Sequence, residues 1–295
     1  GDKYEGDWKN DKKDGQGIFI SQIGDRYEGD WKNDKMNGKG TFVYSDGRKY
    51  DGDFRDDSFH GQGTFRYSNG SLYTGDWKND KQEGHGTLTY LDGETYVGEW
   101  KNGKMSGDGI YTYTNGNSYD GKFLDGMKNG PGIFTFTNGN EYEGDWENDK
   151  KNGQGTFIYS NGEKYIGEWK NGKMEGLGTF NFKNGDQYEG DWKDDQAHGQ
   201  GTFRYSTGNT YTGELKKDKR DGRGTINYLN GDSYDGDWKN DHVHGEGIFT
   251  NAAGDKYEGD WKNDKKDGQG IFISQIGDRY EGDWKNDKMN GKGTF

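Results

Sequence analysis

The sequence predicts an all-β fold: an elongated, twisted, single-layer and solenoid-like array of antiparallel β-hairpins, with a period of 23 positions and two strands per repeat. A tyrosine returns at every period, without insertion or deletion, from Tyr4 and Tyr27 to Tyr280. Four glycines accompany each tyrosine at constant spacing. Short segments in which apolar and polar residues alternate separate the glycines, and this alternation is typical of half-buried strands.

Composition is a weaker guide than periodicity here. A net charge of -13 and only 26% hydrophobic residues are typical of disordered chains. Aromatic residues nevertheless reach 16% and keep their phase over 295 residues, which a disordered chain has no reason to do. We therefore expect an ordered protein whose apolar side chains are mainly aromatic. The absence of cysteine excludes disulfides and thiolate metal sites.

One repeat illustrates the predicted strands. In residues 27–31 two aromatic residues and a glycine alternate with acids, and in residues 40–44 a glycine and two aromatic residues share one face. Between them we predict a polar loop over residues 32–38. Asp46-Gly47 is predicted to form a two-residue type I′ turn, because Asn-Gly and Asp-Gly pairs accept the positive φ that this turn requires.

Glycines within strands need a large neighbouring ring to cover them. Gly29 lies beside Trp31, and Gly40 beside Phe42, so we expect these rings to provide the cover. Strands about 4.8 Å apart would advance each repeat by roughly 9–10 Å, and thirteen repeats would span about 120 Å.

Residues 73–77, 84–90 and Asp92-Gly93 carry a pattern that resembles the MORN repeat (membrane occupation and recognition nexus). The resemblance covers residues 1–295 as one continuous array of thirteen repeats, the last truncated. Similar repeats occur in junctophilins, plant phosphatidylinositol phosphate kinases, protist cytoskeletal scaffolds and a histone methyltransferase. The resemblance implies scaffolding, self-association or partner binding along an aromatic groove. It implies no catalytic residue. We also expect neither a metal site nor a cofactor, because no segment has the ligand spacing of a known calcium loop and no phosphate-cradling loop is present.

A longer period lies above that of the single repeat. Residues 1–42 are identical to residues 254–295, a shift of 253 positions or eleven repeats. Because the chain begins and ends within a repeat, we interpret it as a window of a longer protein built from blocks of this length. Long tandem blocks suit fibres and spacers, although a recent duplication without functional consequence explains the identity equally well.

Charge separates the functional alternatives. Acids occupy the middle of the first strand, as at Asp30 and Asp53, and lysines lie near the loops, as at Lys32 and Lys35. The plainest interpretation is a solvated face with cross-strand ion pairs, each worth under about 1 kcal/mol. A pI near 4.9 disfavours anionic lipid as a partner, and nucleic acid is excluded by the lack of a basic footprint.

The predicted function is that of a non-catalytic scaffold, a segment of a fibre, filament or spacer, which also binds protein or associates with itself. A peptide- or helix-binding adaptor and a peripheral phosphoinositide-binding module are the alternatives. The sequence leaves an intracellular scaffold and an extracellular surface fibre both open. The candidate partner-binding or structural aromatic face comprises Tyr27, Trp31, Phe42, Tyr44, Tyr73, Trp77, Tyr90, Tyr96, Trp100, Tyr165, Trp169, Tyr188 and Trp192.

Overall fold

A computed structural model describes residues 1–295 and contains 26 β-strands, two in each repeat. The predicted all-β class and the hairpin repeat with its period of 23 positions are confirmed. The strands are β1 Lys3–Lys9, β2 Lys12–Ile20, β3 Arg26–Lys32, β4 Lys35–Val43, β5 Lys49–Arg55, β6 Ser58–Arg66, β7 Leu72–Lys78, β8 Lys81–Thr89, β9 Thr95–Lys101, β10 Lys104–Thr112, β11 Ser118–Leu124, β12 Met127–Thr135, β13 Glu141–Glu147, β14 Lys150–Ile158, β15 Lys164–Lys170, β16 Lys173–Asn181, β17 Gln187–Lys193, β18 Gln196–Arg204, β19 Thr210–Lys216, β20 Lys219–Asn227, β21 Ser233–Lys239, β22 His242–Thr250, β23 Lys256–Lys262, β24 Lys265–Ile273, β25 Arg279–Lys285 and β26 Lys288–Thr294.

The chain forms two compact units, Gly1–Lys150 and Lys151–Phe295. In the first unit β1 to β13 pair in chain order, each strand antiparallel to the next. In the second unit β14 to β26 pair in the same way. Every neighbour in the sheet is therefore a neighbour in sequence.

No helix long and apolar enough to cross a bilayer is present.

The tight turn lies within the repeat, in the segment predicted to be a polar loop. Lys32 pairs directly with Lys35, and the two residues between them, Asn33 and Asp34, have φ values of 47° and 71°. Two consecutive positive φ values identify a type I′ turn. Most of the predicted loop 32–38 is therefore strand and turn. The prediction was wrong because it placed the type I′ turn at a pair that contains glycine, whereas Asn and Asp adopt positive φ here without one.

The turn between repeats also differs from the prediction. The amide of Gly47 donates to Tyr44 O at 3.0 Å, and the amide of Tyr44 donates to Arg48 O at 2.9 Å. Gly47 has a φ of 89°, whereas Asp46 does not have a positive φ. This is a turn closed by a glycine bulge, not the predicted type I′ turn at Asp46-Gly47.

Twelve hairpins contain a bulge opposite the middle of the first strand. Gly29 pairs with Gly40 and Trp31 pairs with Met36, so three residues of β4 lie opposite Asp30 alone. Gly38, within the bulge, has a φ of 80°. The bulge turns backbone groups away from the ladder, and these groups are bonded by the side chains described next.

Candidate functional site: the aromatic face and the joints between repeats

The repeating tyrosine holds its own hairpin together. A Cβ placed on Gly40 would lie 2.5 Å from the Tyr27 ring, and one placed on Gly29 would lie 2.7 Å from the Tyr27 hydroxyl. Tyr27 therefore covers both glycines, so the expectation that Trp31 and Phe42 cover them was wrong. The side chain of Tyr27 is long enough to reach across the paired glycines. The order of the residues in the sequence does not show this reach.

The tyrosine hydroxyl also bonds the backbone exposed by the bulge. Tyr27 Oη donates to Asp30 O at 2.8 Å. All thirteen tyrosines make the corresponding bond, with lengths of 2.8–3.1 Å. Burial raises the pKa of Tyr27, and the nearby Asp30 raises it further.

The tryptophan connects one repeat to the one before it. Trp31 Nε1 donates to Gly17 O at 3.2 Å, and the Trp31 ring packs edge-on against Tyr4 at 5.3 Å and Tyr27 at 5.2 Å. We call the hydrogen bond the indole bond. Nine of the ten tryptophans make it. Edge-to-face rings then alternate from repeat to repeat, which gives the core its continuity.

The second turn residue makes another connection between repeats. Asp34 Oδ1 accepts the amide of Lys13, 21 positions earlier, at 2.8 Å, and the amide of Asp34 donates to Lys13 O at 3.0 Å. We call the side-chain hydrogen bond the carboxylate bond. It recurs nine times at 2.8–2.9 Å. This bond explains why aspartate, and not glycine, fills most of these left-handed positions.

The acid in the middle of the first strand bonds the bulge. Asp30 Oδ2 accepts the amide of Lys39, nine positions later, at 2.8 Å. Nine repeats contain the corresponding bond. Some of these acids also form the predicted cross-strand ion pairs, as Asp53 does with Lys39 at 2.6 Å. The role of the acids is thus mainly to satisfy backbone amides, a role that strand alternation alone does not indicate.

The candidate aromatic residues divide into two groups by exposure. Phe42, Tyr44 and Tyr90 are half-buried. The others are 0–7% exposed and form the core: Tyr27, Trp31, Tyr73, Trp77, Tyr96, Trp100, Tyr165, Trp169, Tyr188 and Trp192. Phe42 and Tyr44 lie 4.7 Å apart, and Tyr44 lies 6.3 Å from Phe65 of the next repeat. The half-buried rings therefore form a surface row beside the core.

A variable residue follows each tyrosine at a distance of nine positions and lies among these rings. These variable sites are Lys13, Met36, Phe59, Gln82, Met105, Lys128, Lys151, Met174, Ala197, Arg220, Val243, Lys266 and Met289. Lys151 Nζ lies 4.2 Å from the centre of Phe157 and 4.4 Å from that of Trp169. Burial lowers the pKa of Lys151 to about 8, against the opposing effect of Asp195. Sequence analysis did not identify these variable sites, although their constant distance of nine positions from the tyrosine marks them.

Metal chemistry has no support in the side-chain arrangement. No group of three or more His, Cys, Asp or Glu side chains is placed to hold a metal ion. His242 Nδ1 lies 2.5 Å from Asp264 Oδ2, and the other oxygen of Asp264 makes the carboxylate bond to Val243. His242 is thus part of a contact between repeats.

Several solved structures are similar to the chain at low identity. The TCP domain of Drosophila melanogaster SAS-4, solved with a proline-rich motif of Ana2, is 13% identical, with a TM-score of 0.34, and the match covers 53% of this chain and 85% of that one. The TCP10 domain of Danio rerio CPAP with a STIL peptide is 10% identical, with a TM-score of 0.22 and coverage of 90% and 92%. Virginiamycin B lyase of Staphylococcus aureus is 10% identical, with a TM-score of 0.15 and coverage of 95% and 98%. Scores this low carry no argument about function.

No curated protein sequence matches the chain. The MORN repeat family matches it in thirteen consecutive segments: residues 4–26, 27–47, 50–72, 73–95, 96–118, 119–141, 142–164, 165–187, 188–210, 211–233, 234–256, 257–279 and 280–295. Since these segments tile the chain almost without a gap, the chain belongs to the MORN repeat family.

Proposed function

We propose that this chain is a non-catalytic structural protein, a segment of a fibre, filament or spacer, which also offers an aromatic groove to protein partners. The recurrence of the same joint carries the proposal. The indole bond and the carboxylate bond link successive repeats in both units, for example through Trp77 and Asp80 in the first and Trp261 and Asp264 in the second. An array whose joints use the same two kinds of bond gains length with each added repeat and needs no new kind of contact.

Self-association is part of the proposal. Within the second unit Trp284 lies opposite Gly268 and is 6% exposed. Association between copies would set Trp8 of β1 opposite Gly291 of β26, with the same spacing of glycines and rings. Trp8 is 59% exposed, so this contact would cover a large indole ring.

Electron microscopy of the purified chain at increasing concentration tests self-association. We expect fibres that lengthen with concentration, and we expect Trp8→Glu to shorten them because it places a carboxylate in the contact. Leu91→Glu is the matched control, since Leu91 is 75% exposed and lies in a turn. Particles of one length at every concentration would refute self-association.

A peptide- or helix-binding adaptor is the second candidate. The half-buried rings of Phe42, Tyr44 and Tyr90 support it, because the variable sites beside them give each repeat a different local surface. Screening helical and extended peptides against the chain should yield binders that Tyr90→Ala weakens and Leu91→Ala does not. Equal loss with both variants, or no binder at all, would count against the groove.

Phosphoinositide binding receives less support. The net charge of -13 opposes attraction to an anionic surface, which adds roughly 1 kcal/mol for each basic residue near it. We expect the chain not to float with phosphoinositide vesicles at low salt. Flotation that disappears at high salt would reverse this expectation.

A further inference from the structure

The joints between repeats are not equally bonded. Each joint pairs the second strand of one repeat with the first strand of the next. The β6–β7 joint has both side-chain bonds: Trp77 Nε1 donates to Gly63 O at 3.1 Å, and Asp80 Oδ1 accepts the amide of Phe59 at 2.8 Å. The β4–β5 joint keeps only the carboxylate bond, and the β8–β9 joint keeps only the indole bond.

The β10–β11 joint has neither bond. Phe123 stands where the indole would be, and a phenyl ring has no N–H to donate to Gly109 O. Gly126 stands where the aspartate would be, so the amide of Met105 has no carboxylate acceptor from that turn. The backbone bond from the Gly126 amide to Met105 O remains, at 2.9 Å.

The hairpin that follows this joint has also lost its internal bond. The acid of other repeats is Lys122 here, and the amide that would receive it belongs to Pro131, which has no N–H. The repeat that begins at Tyr119 therefore lacks three of the four recurring side-chain bonds to the backbone, and it keeps only the tyrosine bond, from Tyr119 Oη to Lys122 O at 3.0 Å.

Two exposed ion pairs are the charged contacts that remain at this joint. Lys122 Nζ lies 2.7 Å from Asp108 Oδ2, and Lys104 Nζ lies 3.1 Å from Asp125 Oδ1. Both pairs bridge β10 to the following hairpin, and their side chains are 46–66% exposed. Exposed ion pairs contribute little to stability and are screened by salt, whereas a hydrogen bond to a buried backbone group is not.

We propose that the β10–β11 joint is a built-in breakpoint, at which the array opens first under heat, denaturant or tension, and that salt promotes this opening. The backbone ladder from Gly107–Phe123 to Thr112–Ser118 is complete, so the joint forms in the native state. Its side chains merely hold it less firmly than those of its neighbours. The inference rests on the bonds of the joint and holds whether or not the chain forms fibres.

Hydrogen exchange followed by mass spectrometry tests this on the intact chain. Amides of β10 and β11 should exchange about tenfold or more faster than those of β6 and β7, because β6–β7 has the indole bond and the carboxylate bond and also the side-chain contacts Gln62–Asp76 and Thr64–Thr74. One molar salt should widen the difference, because it screens the exposed pairs Lys122–Asp108 and Lys104–Asp125 but not the hydrogen bonds to backbone groups in β6–β7. Equal protection of the two joints would overturn the proposal.

Two variants make the test independent of other sequence differences. Phe123→Trp with Gly126→Asp restores both missing bonds and should slow exchange in β10–β11 by about tenfold or more. The reverse change, Trp77→Phe with Asp80→Gly, removes both bonds from β6–β7 and should make its amides exchange about tenfold or more faster than in the native chain. If exchange follows neither change, the bonds do not determine where the array opens and the proposal is wrong.

Discussion

Lys122 and Pro131, nine positions apart, occupy the two positions at which Asp76 accepts the amide of His85 at 2.8 Å. An acid at position 122 would have no amide to bind, because Pro131 carries no N–H. The two departures from the repeat are therefore one structural change, and the lysine instead pairs with Asp108.

Restoring this pair should be cooperative. We expect Lys122→Asp alone to destabilise the pairing of β11 with β10, because it places a second carboxylate beside Asp108, and Pro131→Gln alone to have little effect. The double variant should be more stable than the sum of the single changes predicts by about 1–2 kcal/mol, through the new carboxylate–amide bond. Amide exchange in β11 and β12 measures the coupling. Additive effects would show that the two positions do not interact.

The hydroxyl of a core tyrosine should contribute measurably to stability. Tyr73→Phe removes the part-buried bond from Tyr73 Oη to Asp76 O, of length 3.0 Å, and leaves that carbonyl without this donor. We expect a loss of about 1–2 kcal/mol in the local free energy of unfolding of β7–β8. Tyr228→Phe is the control, since Tyr228 is 38% exposed and should lose under about 0.5 kcal/mol. Similar effects of both substitutions would contradict the assigned role.

The turn aspartate should matter for its side chain more than for its backbone conformation. Asp80 has a φ of 63°, and Asp80→Gly keeps this conformation but removes the carboxylate bond to the Phe59 amide. We expect the Phe59 amide to exchange about fivefold faster, equivalent to about 1 kcal/mol. Asn79→Gly, in the same turn, leaves the bond intact and should have little effect. If the Phe59 amide of the Asp80→Gly variant is as protected as in the native chain, the carboxylate bond does not stabilise this joint.

Lysine at a variable site should titrate near neutral pH. Burial among Phe157 and Trp169 lowers the pKa of Lys151 to about 8, below the usual value near 10.4. Because the folded-state pKa is the lower one, the contribution of this group to stability is largest at high pH and is lost as pH falls through 8. The ¹³Cε shift of Lys151 followed against pH should give the midpoint directly, with exposed lysines as internal controls. A midpoint near 10.4 would show that the ammonium group is solvated.

Replacing that lysine should remove the cost of burying its charge. Methionine occupies the equivalent site at Met174, so Lys151→Met fits the local packing. We expect the variant to be more stable than the native chain at pH 7, and the difference to shrink as pH rises above 8. Thermal unfolding at pH 7 and pH 9.5 measures both effects. A difference that grows with pH would have the wrong sign for a buried cation.

The repeat, the all-β class and the aromatic composition of the core follow from the sequence alone. A tyrosine in constant register and strict alternation leave one face to be buried, and antiparallel hairpins are the simplest way for consecutive short strands to do this. Alternation could not distinguish the two turns, because Asn33-Asp34 and Asp46-Gly47 both accept positive φ. Alternation also assigned Gly29 and Gly40 to the wrong rings, because the order of residues does not show which ring extends across the sheet to cover a given glycine.

The bonding partner of each repeated residue becomes visible when the strands are paired in three dimensions. Asp34 and Trp31 find their partners in the preceding repeat, at Lys13 and Gly17, and Asp30 finds its partner across a bulge. A bulge leaves particular backbone groups without a partner in the ladder. The repeated side chains form hydrogen bonds with those groups. Periodicity shows that a residue is required at each position. The physical reason for the requirement lies in contacts between repeats, which one repeat read alone does not contain.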